Sequence, residues 1–314
     1  MANPIIAGTT YSGQFASKYI SAALLSASTI ENGGVTVLPN VKFKEVLQNL
    51  STSALLANAT CDFDAAGSTV TLSEKVLQTA DLQVNMQLCR SQFFNTWESI
   101  QMGASAHSDI PKTFEDYLLG YVGSKIASEM ETTLWQGAAG AAGGLTDGGF
   151  TVLAAAQCPA ANIIAPAAVT ALNVIDELGK VVDALNAQTN IFGYEDTRIF
   201  VSRNVMASYI RSLGGFAATG ANGVDNRGTM WYADGGGVSF DGVKLFMAEG
   251  LPNNTMLAAQ VSNLYLGVSL LSDLSEAKVV PVHLYDGSDN VRVIYRMAAG
   301  AQIGVAEDVI YYGA

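Results

Sequence analysis

Charge is what this chain has least of. Only 14% of its 314 residues are charged, against 49% apolar, and the mean hydropathy is +0.26. A domain dispersed alone in water normally keeps a well-charged surface, so an isolated soluble monomer is disfavoured and extensive burial against partner chains is expected. Long apolar runs are lacking too. The least charged span, Gln136–Ile175, holds only Asp147 but is broken by glycines, Pro159 and Pro166, so it reads as no membrane-spanning helix. The N-terminus has neither a basic start nor a compact apolar block, so no signal peptide is evident.

The charge that exists is acidic: 16 Lys and Arg against 28 Asp and Glu give −12. Tight nucleic-acid binding through a basic face is thereby disfavoured, because phosphate neutralisation needs clustered cations. His107 and His283 are the only histidines, and neither has a metal-like neighbour at helical spacing. Cys61, Cys89 and Cys158 are odd in number, widely spaced and without a C-x-x-C pair. They read as reduced, structural thiols. No G-x-S-x-G, G-x-G-x-x-G or P-loop pattern occurs, so the signatures of hydrolase, dinucleotide and nucleotide sites are missing. Glu115, Asp116, Glu129 and Glu131 fall on a helix as solvated charge. The glycines at 235–237 lack a following helix that would make them an anion cradle. No cofactor is implied.

Against these absences stands one strong element. From Thr113 to Trp135, Phe114, Tyr117, Leu118, Tyr121, Val122, Ile126, Met130 and Leu134 recur every three or four residues, which predicts a single amphipathic helix. Pro111 and a Thr113/Asp116 capping pair set its start, and Gly137 its stop. At about 1.5 Å per residue it forms a spine roughly 35 Å long.

The remainder is read around that spine. Residues 1–40 are small and polar, an arm ordered only by lying across something else. From Val41 to Arg90 the period becomes two: Leu82, Val84, Met86 and Leu88 alternate with Gln83, Asn85 and Gln87, as do Val70 and Leu72 with Thr69, Thr71 and Ser73. That predicts long antiparallel strands with one wetter side. Asp62–Ser68 and Gln78–Asp81 both qualify as the tip. A lone two-stranded ribbon is barely stable, so it should lean on a neighbour. After Gly137 an Ala/Gly-rich stretch to about Pro166 reads as a loop or short strands. Leu172, Ile175, Leu178, Val182 and Leu185 give a helical stripe. Arg198–Val201 reads as a buried strand, and Ser202 caps a helix over Asn204–Leu213. A glycine-rich loop spans Gly215–Gly237, and Asp241-Gly242 marks a hairpin. Further strands fill the C-terminal region. There Arg292 and Arg296 fall on the face opposite Val291, Val293 and Tyr295, either meeting carboxylates of another subunit or lying on a solvated sheet face.

This order of parts resembles the major capsid proteins of tailed bacteriophages, the Hong Kong 97-type fold. The stretches that carry the resemblance are V-T-L-S-E-K-V-L from Val70, V-N-M-Q-L-C from Val84, F-F-N-T-W-E from Phe93 and I-P-K-T-F-E-D-Y-L-L-G-Y-V-G-S-K-I-A from Ile110. R-I-F-V-S-R-N-V-M-A-S-Y-I-R-S-L from Arg198 and V-S-F-D-G-V-K-L-F-M-A-E-G-L-P from Val238 look like the core of the axial domain. The resemblance implies an α+β fold with an N-terminal arm (1–40), an extended β-ribbon loop (41–105), a peripheral domain (106–165 with 276–314, including the spine helix 113–135) and an α/β axial domain (166–275). It implies a non-enzymatic shell subunit forming pentamers and hexamers of an icosahedral virion capsid around double-stranded DNA, assembled in the host cytoplasm. Its partners would be copies of itself, with scaffolding, portal or decoration proteins. Packaged DNA would be touched weakly and non-specifically, and no membrane is involved. A separate scaffold is expected, since no cleavable scaffolding region is evident. Candidate inter-subunit contacts are Lys42, Lys44, Glu74, Lys75, Arg90, Arg292 and Arg296. Some members cross-link neighbours through a Lys–Asn isopeptide bond; Lys75 and Asn290 offer the residue types, though no motif pairs them. An encapsulin-type compartment is the alternative, and an α/β enzyme sited at the Gly215–Gly237 loop a remote one.

Overall fold

The computed structural model describes residues 9–12, 28–52, 70–89, 112–141, 143–188, 196–213, 238–269, 276–282, 285, 287–288 and 290–313, with the backbone alone for 9–12, 51–52 and 112–117. Two sheets and a ribbon organise it. In the first sheet the axis is β13 (Asn290–Ile303). Along one edge it pairs β5 (Ala80–Cys89), and along the other β12 (Glu276–Pro281) and then β11 (Leu264–Val268), all antiparallel. β1 (Thr9–Ser12) adds to β12, and β2 (Thr36–Pro39) adds parallel to β11.

The spine helix α2 (Lys112–Gln136) packs on the face of this sheet that carries Val291, Val293, Tyr295 and Met297. Leu118, Val122, Ile126, Met130 and Leu134 are buried, as the periodicity predicts, and the Tyr295 hydroxyl donates to the Leu119 carbonyl at 2.8 Å. Tyr121 departs from the predicted stripe and is half exposed. Pro111 and the side chains of Thr113, Phe114, Asp116 and Tyr117 lie outside the described residues, and the helix backbone begins at Lys112, one residue before the predicted cap Thr113.

Glu131 overturns the reading of solvated charge. It is buried because α1 (Ser28–Glu31) docks beside it. The Thr29 amide donates to it at 3.0 Å, the Thr29 hydroxyl donates to it, and the Trp135 indole N–H reaches it at 3.2 Å. A buried carboxylate is tolerable when donors surround it. The described pieces of the arm thus lie on their own chain: β1 and β2 extend the first sheet and α1 closes over α2.

The second sheet runs β6 (Ile163–Ile164), β14 (Ile310–Tyr312), β10 (Met256–Gln260), β7 (Thr197–Val201), β9 (Val243–Met247), β8 (Ser239–Phe240). The β8–β9 turn places Asp241 and Gly242 at φ +47° and +86°, the left-handed pair expected of a two-residue hairpin. α4 (Val174–Ala187) and α5 (Arg203–Ser212) cover one face, where Ile199, Val201, Met256 and Ala258 face Leu178, Val182 and Val205. The buried stripe of α4 runs through Val174, Leu178, Val181, Val182 and Leu185, whereas Leu172 and Ile175 are exposed. Leu172 precedes the helix, which begins at Val174, and Ile175 turns to solvent beside the buried Val174.

The other face of the second sheet turns to the spine. Trp135 meets Phe150 at 5.5 Å and Phe200 at 5.2 Å between ring centres, and Phe200 meets Phe246 at 5.3 Å. Tilted aromatic pairs of this kind contribute roughly 0.5–1.5 kcal/mol each beyond their buried area, and this chain of rings joins the second sheet to the spine helix. Phe150 opens α3 (Phe150–Gln157), a buried helix where the Ala/Gly-rich stretch suggested a loop. Its sequence, F-T-V-L-A-A-A-Q, is rich in good helix formers, and the glycines that mislead lie before it.

Candidate inter-subunit surface

The ribbon is β3 (Lys44–Thr52) paired antiparallel with β4 (Val70–Gln78), each nine residues long. At about 3.4 Å per residue it reaches roughly 30 Å. Register places Val46 opposite Val76, Gln48 opposite Glu74, and Leu50 opposite Leu72, all on one face. That face is apolar and uncovered: Val46, Leu50, Val70, Leu72 and Val76 are 42–63% exposed. Of the two candidate tips, Gln78–Asp81 does not reverse the chain. Thr79 alone separates β4 from β5, and β5 pairs with β13 instead. Residues 53–69, which link Thr52 to Val70, lie outside the described residues.

The root of the ribbon is fixed on the face of the first sheet opposite the spine. Leu77 is fully buried, beside Val41 and over Gly267. The Thr79 amide donates to the Phe43 carbonyl at 3.0 Å. A polar circuit closes the attachment: the Lys75 ammonium donates to Gln157, the Gln157 amide donates to Gln302 at 3.1 Å, and the Gln302 amide donates to the Val76 carbonyl at 2.9 Å. Burial lowers the pKa of Lys75, an effect opposed by the nearby Cys158 and Glu307. Burial likewise pushes the Cys158 thiol up to about 11, opposed by Lys75.

That same sheet face, farther along β13, carries the two arginines. Arg292 sits between Gln87 and Val280, Ile294 between Asn85 and Lys278, and Arg296 between Gln83 and Glu276. Arg292 Nε donates to Gln87 at 3.0 Å, and Arg296 lies 3.3 Å from Glu276 with its side chain 61% exposed. Asn85, Gln87, Arg292 and Ile294 line a shallow groove there.

The predicted contact residues are therefore spread over two regions. Lys42, Lys44 and Glu74 are exposed along the ribbon; Lys44 stands 5.1 Å from the Phe43 ring, and Glu74 accepts from Gln48 at 3.2 Å. Lys75 turns inward to its own chain's Gln157, and Asn290 donates to Ser288 at 3.2 Å. Arg292 and Arg296 lie on the sheet. Arg90 lies outside the described residues, as do His107, His283, Cys61 and the Gly215–Gly237 loop. The apolar ribbon face was not singled out, although the period-two spacing of Val46, Leu50, Val70, Leu72 and Val76 carries it. Among the described residues no group of His, Cys, Asp and Glu gathers that could hold a metal ion, and no helix is long and apolar enough to cross a membrane.

No protein-family model and no curated protein matches the chain. Solved structures do. A chain of the satellite phage P4 procapsid is 11% identical with a TM-score of 0.56, covering 94% of this chain and 98% of that one. The capsid of the native GTA particle is 13% identical with a TM-score of 0.56 over 93% and 89%. The capsid of Myoviridae phage XM1 is 11% identical with a TM-score of 0.56 over 90% of each. Coverage this complete at such low identity matches the arrangement of ribbon, spine helix and two sheets rather than a shared motif. The chain shares the α+β fold of these capsid structures.

Proposed function

We propose that this chain is a major capsid protein, a structural subunit that assembles into pentamers and hexamers of an icosahedral shell enclosing phage double-stranded DNA. The observation that carries the reading is the uncovered apolar face of the ribbon, in a chain whose fold is otherwise met in capsids. A two-stranded sheet does not hold such a face in water for its own sake; a second subunit gains from covering it. Each such contact is modest, but a subunit in a shell makes several at once, and linked contacts reinforce one another. The low charge of the chain fits a molecule whose surface is covered by copies of itself. Its acidic balance fits a wall that touches DNA weakly. Assembly would take place in the host cytoplasm with a separate scaffold. The chain itself performs no catalysis.

Electron microscopy of the purified protein tests the reading. Shells or capsomers are expected. Leu50→Asp combined with Leu72→Asp should abolish them while leaving the melting temperature of the subunit within a few degrees. A wild-type chain that stays a compact monomer throughout would overturn the proposal. Small shells that take up an enzyme through a cargo peptide, and never DNA, would replace it with a compartment.

A further inference from the structure

Strand β5 borders the first sheet, and we infer that it pairs antiparallel with β5 of a second copy about a twofold axis through Asn85, joining the sheets of two subunits edge to edge. The inference rests on the proposed shell function and names a contact within it that does not use the ribbon. Three observations support it.

The first is an unguarded edge. β5 pairs with β13 along one side, and among the described residues no strand pairs along the other. Natural proteins keep such edges short, bulge them, or place lysine or proline there, because a row of unpaired N–H and C=O groups recruits another chain. β5 carries none of these guards. Its register against β13 runs unbroken from Ala80, opposite Ala299, to Cys89, opposite Asn290. It holds neither lysine nor proline, and its one charge is Asp81, near one end.

The second is self-complementarity. Residues directly opposite in an antiparallel pair point to the same face. An axis through Asn85 sets Leu82 opposite Leu88 and Val84 opposite Met86 on the spine side, and Gln83 opposite Gln87 on the other. Apolar meets apolar, and carboxamide meets carboxamide. An axis between two residues would instead set apolar against polar throughout. Charge selects among the registers that keep the faces matched. With the axis at Asn85 the two Asp81 carboxylates stand eight residues apart, about 27 Å at about 3.4 Å per residue, far beyond the roughly 8 Å over which exposed charges interact in physiological salt. An axis nearer Asp81 would bring them together. Because the same patch serves both copies, the contact closes as a pair.

The third is unfilled apolar surface along the strand. Leu82, Val84, Met86 and Leu88 are only half-buried by their own chain. An open groove runs beside Leu82 and Val84, with Ile126 and Met130 of α2 and Met297 in its wall. In the twofold pair the second copy's Leu88 and Met86 fall opposite Leu82 and Val84, at this groove. Pairing therefore covers apolar area as well as backbone groups.

A single cysteine on the axis tests the pairing, in a chain whose Cys61 and Cys89 are replaced by serine. Asn85→Cys places two thiols directly opposite each other, within reach of a disulfide. Mild oxidation of assembled particles should give dimers on a non-reducing denaturing gel, and reduction should return them to monomer. Gln83→Cys, equally exposed but opposite Gln87, should stay monomeric. Asn85→Lys brings two ammonium groups together on the axis and should lower the yield of particles about tenfold or more, with the melting temperature of the unassembled subunit unchanged. Particles that form without the Asn85→Cys dimer, equal cross-linking of Gln83→Cys, or full assembly of Asn85→Lys would each overturn the pairing and leave the shell function standing. If the wild type forms no particles, the shell function fails and the pairing falls with it.

Discussion

Gly267 and Gly300 stand directly opposite each other across β11 and β13, and together they open the slot through which the ribbon crosses onto the sheet. A Cβ on Gly267 would lie 2.5 Å from Leu77 Cδ2, and one on Gly300 would collide with the Gln78 carbonyl and come within 3.1 Å of Thr79 Cα. The two obstacles differ in kind. Leu77 can change rotamer, whereas the backbone at Gln78 cannot move without breaking the Thr79–Phe43 attachment. Gly300→Ala should therefore cost about 1–3 kcal/mol, the range of overpacked cores, and Gly267→Ala less. Urea unfolding reads the difference, and hydrogen exchange at Leu77–Thr79 should speed up in Gly300→Ala first.

Thr29 anchors α1 by giving Glu131 two donors and accepting from the Trp135 indole at 3.0 Å. Thr29→Val keeps the shape and the amide but removes the hydroxyl, leaving part of a buried carboxylate undersatisfied. The expected loss is about 1–3 kcal/mol, with a change in Trp135 fluorescence. Thr29→Ser should lie close to wild type. Equal melting curves for Val and Ser would remove the hydroxyl from the account.

Cys158 should be inert in the folded chain. With its thiol pushed up to about 11, roughly one molecule in a thousand carries the reactive thiolate at pH 8, since only the thiolate is nucleophilic. Iodoacetamide labelling followed by mass spectrometry should find Cys158 unmodified at pH 8 and rapidly modified in denaturant. Labelling of the native thiol should rise about tenfold per pH unit on the way to that value. Fast labelling at pH 8 without denaturant would contradict the burial of this site.

Glu177, on α4, is held below the usual carboxylate value by its hydrogen bond with Lys180 at 2.8 Å, with a smaller contribution from the Tyr312 hydroxyl at 2.8 Å, against the opposing effect of burial. A depressed carboxylate stabilises the fold above its unfolded pKa and loses that contribution as pH falls through the folded value. Stability should therefore decline below about pH 4.5, and Tyr312→Phe should shrink the decline while costing about 1 kcal/mol at neutral pH. Thermal melts from pH 3 to 7 on both proteins decide it.

Much of this was legible in the chain. A buried row of Leu118, Val122, Ile126, Met130 and Leu134 follows from 3.6-residue periodicity, and the Asp241-Gly242 hairpin from the backbone that those residues favour. Alternation in Val84–Leu88 marks a strand, because side-chain direction in a strand depends only on parity. What parity cannot give is the partner. Whether β5 pairs with β4 or with β13 depends on a strand far away in sequence, and the burial of Glu131 depends on Thr29, 102 residues away. The glycine pair at 267 and 300 carries no local signature, since its purpose is set by Leu77 and Gln78 arriving from another part of the chain. Sequence determined most of the helix, strand and turn segments, α3 excepted, and how little charge must face water, because those rest on neighbours along the chain. Only the tertiary structure decided which face of the ribbon is left bare and which arginine pairs with Glu276, because those depend on what each side chain finds beside it.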